Sequence, residues 1–161
     1  MKIQFRRRRE AKTNFIKRLA LAKSGKTRLV IRRRLNNISV QFIEYHKDGD
    51  KTIAASFSPE LRSYGWNFSN GNIPAAYLTG FLAGFRAKAK IKEAILDSGL
   101  QRSTKGSRIY SALKGVLDSG IIIKHSPEIL PDEQRIKGLH IKEEVAKNFE
   151  DVRNEIVSKY V

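Results

Sequence analysis

The sequence contains no cysteine among its 161 residues. This absence excludes a disulfide framework and any metal site built on thiolates, and it fits a reducing compartment. Long apolar runs are absent as well. The longest, residues 73–85, has thirteen residues, whereas a helix that spans a membrane needs roughly twenty. The sequence therefore predicts neither a membrane segment nor a membrane partner.

Acidic residues are scarce at one end of the chain only. Residues 1–34 hold fourteen Lys and Arg against a single acid, Glu10. Residues 35–120 hold eleven against seven, and residues 121–161 hold seven against eight. The net charge of +16 is extreme for this length and predicts a polyanionic partner. Because the four consecutive arginines Arg6–Arg9 repel one another, we expect an anion beside them.

Catalytic patterns are weak. A metal-dependent nuclease of the ribonuclease H type needs several carboxylates on neighbouring strands, and Glu44, Asp97 and Asp118 form the only suitable set. The two Asp-Ser-Gly sequences that begin at Asp97 and Asp118 resemble an aspartic-protease dyad. They lie only twenty-one residues apart and are better explained as element ends that need a glycine. We expect no enzyme and keep the nuclease as the alternative; a free-standing DNA-compacting protein, which would bind any duplex equally, is a second one.

The first half of the chain changes its hydrophobic period once. Residues 1–9 are predicted to be an unstructured basic arm. An amphipathic helix from about Glu10 to Lys23 follows, whose apolar stripe recurs every three or four residues and consists of Ala11, Phe15, Leu19 and Ala22. Residues 27–34 and 38–45 are rich in β-branched and aromatic residues, which predicts a hairpin. After a second turn, residues 52–57 complete an antiparallel meander of three strands.

The second half alternates helices and short strands. A helix from Pro74 to about Lys90 carries Gly80 and Gly84, whose spacing indicates close packing of this helix on a sheet. Further along the chain we expect a strand at 93–97, a helix at 108–119, a strand at 121–125, an extended segment at 126–135 and a helix at 138–158. The order favours an α/β fold with helices packed on a sheet. We divide the chain into three parts. They are a basic RNA-binding arm at residues 1–27, a globular domain at residues 28–125 and a tail at residues 126–161.

The basic arm is the strongest functional signal. Lys and Arg release counterions when they contact phosphates, and Arg and aromatic side chains also stack on unpaired bases. Core packing competes with base stacking for Trp66, and a helix cap at Ser107 competes with phosphate binding beside it. Since side chains alternate along a strand, Arg32 and Arg34 are expected to point together at one RNA surface. The full set of predicted RNA-binding residues is Phe5, Arg6, Arg7, Arg8, Arg9, Lys12, Lys17, Arg18, Lys26, Arg28, Arg32, Arg34, Trp66, Lys105 and Arg108.

Four stretches together are specific enough to indicate a family. They are "FRRRREAKTNFIKRL", "YGWNFSNGNIPAAYLTG", "GSRIYSALKGVLDSG" and "HSPEILPDEQRIKG", and they extend from Phe5 to Gly138. In this order and spacing they resemble the archaeal and eukaryotic type of the large-subunit ribosomal protein family L-eighteen, which binds 5S ribosomal RNA. Leu139 departs from the acidic residue expected after the last stretch.

The resemblance implies a structural protein of the cytoplasmic large ribosomal subunit. It implies an α/β domain with a mixed sheet and an N-terminal arm that lies on 5S rRNA in the central protuberance. It further implies contacts with the large-subunit (23S-type) rRNA and with neighbouring ribosomal proteins. No cofactor, metal or small-molecule substrate is expected.

Overall fold

A single mixed sheet organises the protein, whose computed structural model describes residues 3–160. The strands follow the chain as β1 Arg28–Arg33, β2 Ile38–Glu44, β3 Lys51–Phe57, β4 Glu93–Asp97 and β5 Ile122–Ile123. In space their order is β3-β2-β1-β4-β5. The first three strands pair antiparallel, and β4 and β5 join parallel to β1. The predicted meander and mixed sheet are confirmed.

Helices supply the other layers. They are α1 Arg6–Arg9, α2 Phe15–Lys23, α3 Ile73–Lys88, α4 Arg108–Asp118, α5 Glu133–Lys137 and α6 Glu143–Tyr160. Two 3₁₀ segments, Ser58–Tyr64 and Pro127–Ile129, connect them. Within residues 3–160 no helix is both long and apolar enough to cross a membrane.

One face of the sheet packs on α3 and α4 to form the main core. Leu29 and Ile31 of β1 alternate with residues that face the other way, and both are fully buried. Ile38, Val40 and Phe42 of β2 are buried on the same face. The period of two along these strands therefore decides which side chains enter the core and which reach the second face.

A second core lies on the far side of α3. The helix α6 packs there, together with the 3₁₀ segment that carries Leu61. The buried side chains of this second core include Trp66, Phe149 and Ile156, and none of the three is more than 1% exposed. Because α3 contributes to both cores, it is buried nearly all round, which explains why its sequence is apolar on every face.

Glycines bring α3 and α4 into backbone contact. A Cβ at Gly80 would lie 2.0 Å from the carbonyl oxygen of Ala112, and one at Gly115 would lie 2.2 Å from that of Tyr77. A Cβ at Gly84 would meet the side chain of Ser119. The sequence pattern correctly indicated close packing, but the partner of this helix face is α4 and not the sheet.

Three local predictions are wrong. Arg6–Arg9, expected to be unstructured, forms one helical turn. The next helix begins at Phe15 rather than near Glu10, because the side chain of Asn14 accepts hydrogen bonds from the backbone N–H groups of Ile16 and Lys17, both at 3.1 Å. The segment predicted to be extended at 126–135 contains a 3₁₀ turn and the start of α5.

The glycine contact makes a testable prediction about stability. Ala normally favours a helix over Gly by about 1 kcal/mol, but at Gly115 a methyl group would push two backbones apart. We expect Gly115→Ala to lower the free energy of unfolding by about 1–3 kcal/mol. Gly84→Ala is the matched comparison and should cost less, since its obstacle is a serine side chain. A Gly115→Ala protein that melts at or above the wild-type temperature would contradict the contact.

Candidate nucleic-acid interface

The N-terminal arm is a folded structure. Glu10, the single acid of residues 1–34, accepts ion pairs from Arg6 at 3.5 Å and from Lys12 at 2.9 Å. The Nε of Arg7 donates to Thr13 Oγ1 at 2.9 Å. The ring of Phe5 contacts that of Phe15, with centroids 5.5 Å apart. These contacts hold α1 against the start of α2 while its four arginines stay exposed.

The helix α2 lies over the second face of the sheet. Arg18 reaches Asp50 in the turn between β2 and β3, at 3.0 Å. Lys26 pairs with Glu93 of β4 and, by its hydrogen bond and charge, holds the pKa of that carboxyl below its ordinary value. The predicted apolar stripe is only partly inward, because Leu19 remains 56% exposed. Ion pairs as much as apolar contacts therefore set the position of this helix.

Arg28 is an internal residue. It is 4% exposed and donates to Asp50 Oδ2 at 2.6 Å and to Asp97 Oδ2 at 3.3 Å. Asp97 is itself buried, and it also accepts from Arg32, by its carboxylate at 3.1 Å and by its backbone oxygen at 2.6 Å. The structure does not favour the predicted RNA contact of Arg28, since its guanidinium is buried and held by two carboxylates. Arg32 is only partly available.

Trp66 and Arg108 also serve the fold. Trp66 is fully buried, and its indole N–H donates to the carbonyl of Ser69 at 3.2 Å. The structure therefore places Trp66 in the core, which is the role that competed with base stacking. Arg108 donates to the backbone oxygens of Leu35 at 3.2 Å and Gly71 at 2.7 Å. Burial and the nearby charge of Arg33 lower the pKa of Arg108, which thus fastens the β1–β2 turn to the start of α4.

The loop before α4 has one exposed candidate. Lys105 is exposed, and its loop is held by the backbone N–H of Gly106, which donates to Ile129 at 2.9 Å. Ser107 occupies the position before α4, but its side chain makes no capping hydrogen bond. The predicted cap is therefore wrong, because the hydroxyl is buried without a partner among the described residues.

The exposed cations of the arm and of the β1–β2 turn meet at one end of the sheet. The backbone of Arg33 exchanges hydrogen bonds with the side chain of Gln101, at 3.3 and 2.8 Å. The preceding residue, Leu100, lies beside Arg8 and Ile16 of the arm. Residues 98–101 thus bridge the two basic segments. We call this the arm–hairpin surface; it comprises Arg6–Arg9, Lys12, Lys17, Arg33 and Arg34.

Arg33 is an exposed cation that the predicted RNA-binding set does not include. Alternation along the strand paired Arg32 with Arg34, but β1 ends at Arg33 and the chain turns at Arg34, whose N–H donates to Asn37 at 2.7 Å. Both Arg33 and Arg34 are exposed, whereas Arg32 is held by Asp97. Asn36 and Asn37, which favour a turn, were the available signal that the period of two would stop here.

The carboxylates proposed for a nuclease do not converge. Glu44 lies 3.5 Å from His46 at the far end of β2, and Asp97 is neutralised by arginines. Asp118 accepts from Lys114 and from the hydroxyl of Tyr77; burial, together with this hydrogen bond, raises the pKa of Tyr77. In the described part of the chain no three metal-binding side chains form a cluster. The geometry favours an anion-binding surface over a metal centre.

Comparison with known proteins gives one consistent result. The family model of ribosomal large subunit proteins 60S L5 and 50S L18 matches residues 1–94 and 86–126. The chain is 62% identical over 141 residues to the large ribosomal subunit protein uL18 of Korarchaeum cryptofilum, covering 87% of this chain and 72% of that protein. It is 47% identical over 163 residues to uL18 of Methanococcus maripaludis, covering 99% and 84%.

The buried ion-pair network makes a prediction about stability. Asp97→Asn leaves Asp50 as the single acid that compensates both the buried Arg28 and Arg18, and we expect the free energy of unfolding to fall by about 3 kcal/mol. Glu93→Gln removes a carboxylate from the same strand, but this one is exposed, so its melting temperature should match wild type. Thermal or denaturant unfolding measures both. Equal losses in the two variants would contradict the central role of Asp97.

Proposed function

Since the chain belongs to the uL18 family of large ribosomal subunit proteins, we propose that it binds 5S rRNA and helps attach it to the large-subunit rRNA in the central protuberance. Its role is that of a structural constituent of the cytoplasmic ribosome, and its relatives are ribosomal proteins rather than enzymes. The observation that carries the proposal is the arm–hairpin surface, which gathers exposed cations from two segments at one end of the sheet.

The charge of this surface suits an RNA backbone. Each Lys or Arg that neutralises a phosphate releases condensed counterions, and this entropy gain drives binding without reading sequence. Arg6–Arg9 present four guanidinium groups on one exposed turn, and no acid other than Glu10 lies nearby in the sequence. Guanidinium groups also bind phosphate oxygens in a bidentate way, which orients the backbone they contact.

Recognition of one RNA shape needs rigid support and stacking groups as well as charge. The β1–β2 turn provides support, because Arg108 and Gln101 hold its backbone from two sides. Leu35 at its tip is 86% exposed and Phe5 of the arm is 75% exposed. Exposed apolar side chains beside arginines are suited to unpaired or bulged bases. We assign specificity to this turn and most of the affinity to the arm.

The C-terminal part is suited to protein neighbours. Residues 121–161 hold seven basic and eight acidic side chains, so this part offers little general attraction for RNA. The link between α5 and α6 exposes Leu139 and Ile141, 48% and 43%. We propose that neighbouring ribosomal proteins contact this link, while the arm–hairpin surface contacts rRNA.

The contribution of the arm can be tested by charge alone. Replacing Arg6–Arg9 with glutamine should weaken 5S rRNA binding strongly, and each lost phosphate contact should reduce the slope of log affinity against log salt by about 0.7–0.9. The control replaces four exposed cations of the C-terminal half, Lys124, Arg135, Lys142 and Lys147, and changes net charge equally. Salt-dependent binding titrations measure both. If the two variants lose affinity equally, general attraction and not the arm explains binding.

The contribution of the β1–β2 turn can be tested by selectivity. Arg33→Ala combined with Arg34→Ala should weaken binding to 5S rRNA more than binding to a generic RNA duplex, because the rigid turn recognises shape. Lys47→Ala combined with Lys51→Ala, at the opposite end of the sheet, is the matched control and should leave the ratio unchanged. Competition titrations at fixed, near-physiological salt give the ratio. A proportional loss for both RNAs would assign specificity to another part of the protein.

A further inference from the structure

A cavity separates the arm from the second face of the sheet. Its volume is about 610 Å³, within the range of sites that hold small organic ligands. One wall is formed by the arm from Arg7 to Leu21 and the other by β1 and residues 96–101. The arm thus lies over part of the sheet, and a half-open cavity separates the two.

The lining combines an excess of positive charge with an apolar floor. Six cationic side chains and two carboxylates, Asp50 and Asp97, line the space, so the cations exceed the acids by four. The two acids are already engaged by Arg18, Arg28 and Arg32. Lys17 also lines the cavity, and among residues 3–160 no acid pairs with it. An anionic group would therefore be attracted to the rim.

The floor offers a different chemistry. Val30, Ile43 and Leu96 line the cavity from the sheet, and Leu21 lines it from α2. Flat apolar surfaces of this kind accept the face of a nucleic-acid base. Among them lies Arg28, whose Nε is buried without a hydrogen-bond partner in the described structure. Because this atom is covered and the guanidinium is held by Asp50 and Asp97, Arg28 is part of the cavity wall and is assigned no contact with the nucleotide.

We propose that the cavity takes up one unpaired nucleotide of the bound RNA, with its base on the apolar floor and its phosphate at Lys17 and Lys12. The proposal rests on the proposed RNA-binding function and adds a specific site to it. A base that is already unpaired costs least to extrude from its stack. Exposed cations on the arm–hairpin surface would hold the RNA at the mouth of the cavity, beside Arg7.

The test fills the cavity without changing charge. Ala20→Trp narrows it from α2, and Ser98→Trp narrows it from the segment after β4. Leu19→Trp is the control, because Leu19 is exposed on the same helix and does not line the cavity. We expect the affinity of both filling variants for 5S rRNA to fall roughly tenfold or more. The affinity of the control should stay within about twofold of wild type, because its cavity is not obstructed.

Chemical probing with dimethyl sulfate and a carbodiimide provides the readout of the base itself. At saturating protein, one unpaired base of 5S rRNA should be protected by wild type and by Leu19→Trp, and reactive again with either filling variant. The two variants fill the cavity from opposite walls. If one of them fails to fold, the probing pattern of the other still tests the proposal. A wild-type complex in which no unpaired base gains protection overturns the proposal even if neither variant folds.

Other outcomes separate this proposal from the function on which it rests. Unchanged affinity and probing pattern in the filled variants would overturn the cavity while leaving 5S rRNA binding intact. Failure of wild type to prefer 5S rRNA over a competitor RNA would overturn the proposed function itself. The last measurement is a calorimetric titration of the RNA-free protein with nucleoside monophosphates. Tight binding there would assign the cavity to a free nucleotide and overturn an RNA nucleotide as its occupant.

Discussion

The buried guanidinium of Arg28, held between Asp50 and Asp97, is the interaction on which the second face of the sheet depends. Its two carboxylates come from the turn between β2 and β3 and from the end of β4. Each carboxylate binds a further arginine, so that Asp50 places Arg18 of the arm helix and Asp97 places Arg32. Removing a charge from water costs several kcal/mol, and this shared arrangement offsets that cost. The position of the arm follows from it.

The network divides the basic residues into two groups with different roles. Arg18, Lys26, Arg28 and Arg32 are paired with acids from distant parts of the chain and hold the arm on the sheet. The cations of Arg6–Arg9 and of the β1–β2 turn remain exposed. These exposed cations, together with Lys12 and Lys17, are available to a polyanion. The high charge of the N-terminal fifth is thus partly structural, and the number of cations in the sequence overstates the number available for phosphate contacts.

Local pattern predicted the fold better than it predicted the interface. The strands and the close packing of α3 could be predicted because alternation and glycine spacing act between near neighbours, whereas the helix start that Asn14 caps was placed too early. The roles of Arg28 and Trp66 could not. Arg28 is separated from its acceptors by 22 and 69 residues, and Trp66 is covered by a helix that begins 77 residues later, at Glu143. One sequence without its contacts does not distinguish a cation that binds RNA from one that binds a buried carboxylate.

The folded arm changes the energetics of the proposed RNA binding. An unstructured run of arginines would lose conformational freedom on binding, about 1–2 kcal/mol for each residue whose backbone becomes fixed. Here the pair Arg18–Asp50, the Phe5–Phe15 contact and the Glu10 ion pairs fix the arm within the protein alone. A preorganised surface retains more of its contact energy as affinity and rejects RNA shapes that it does not fit. The ion pairs that remove some cations from the interface are therefore the same contacts that make the remaining cations selective.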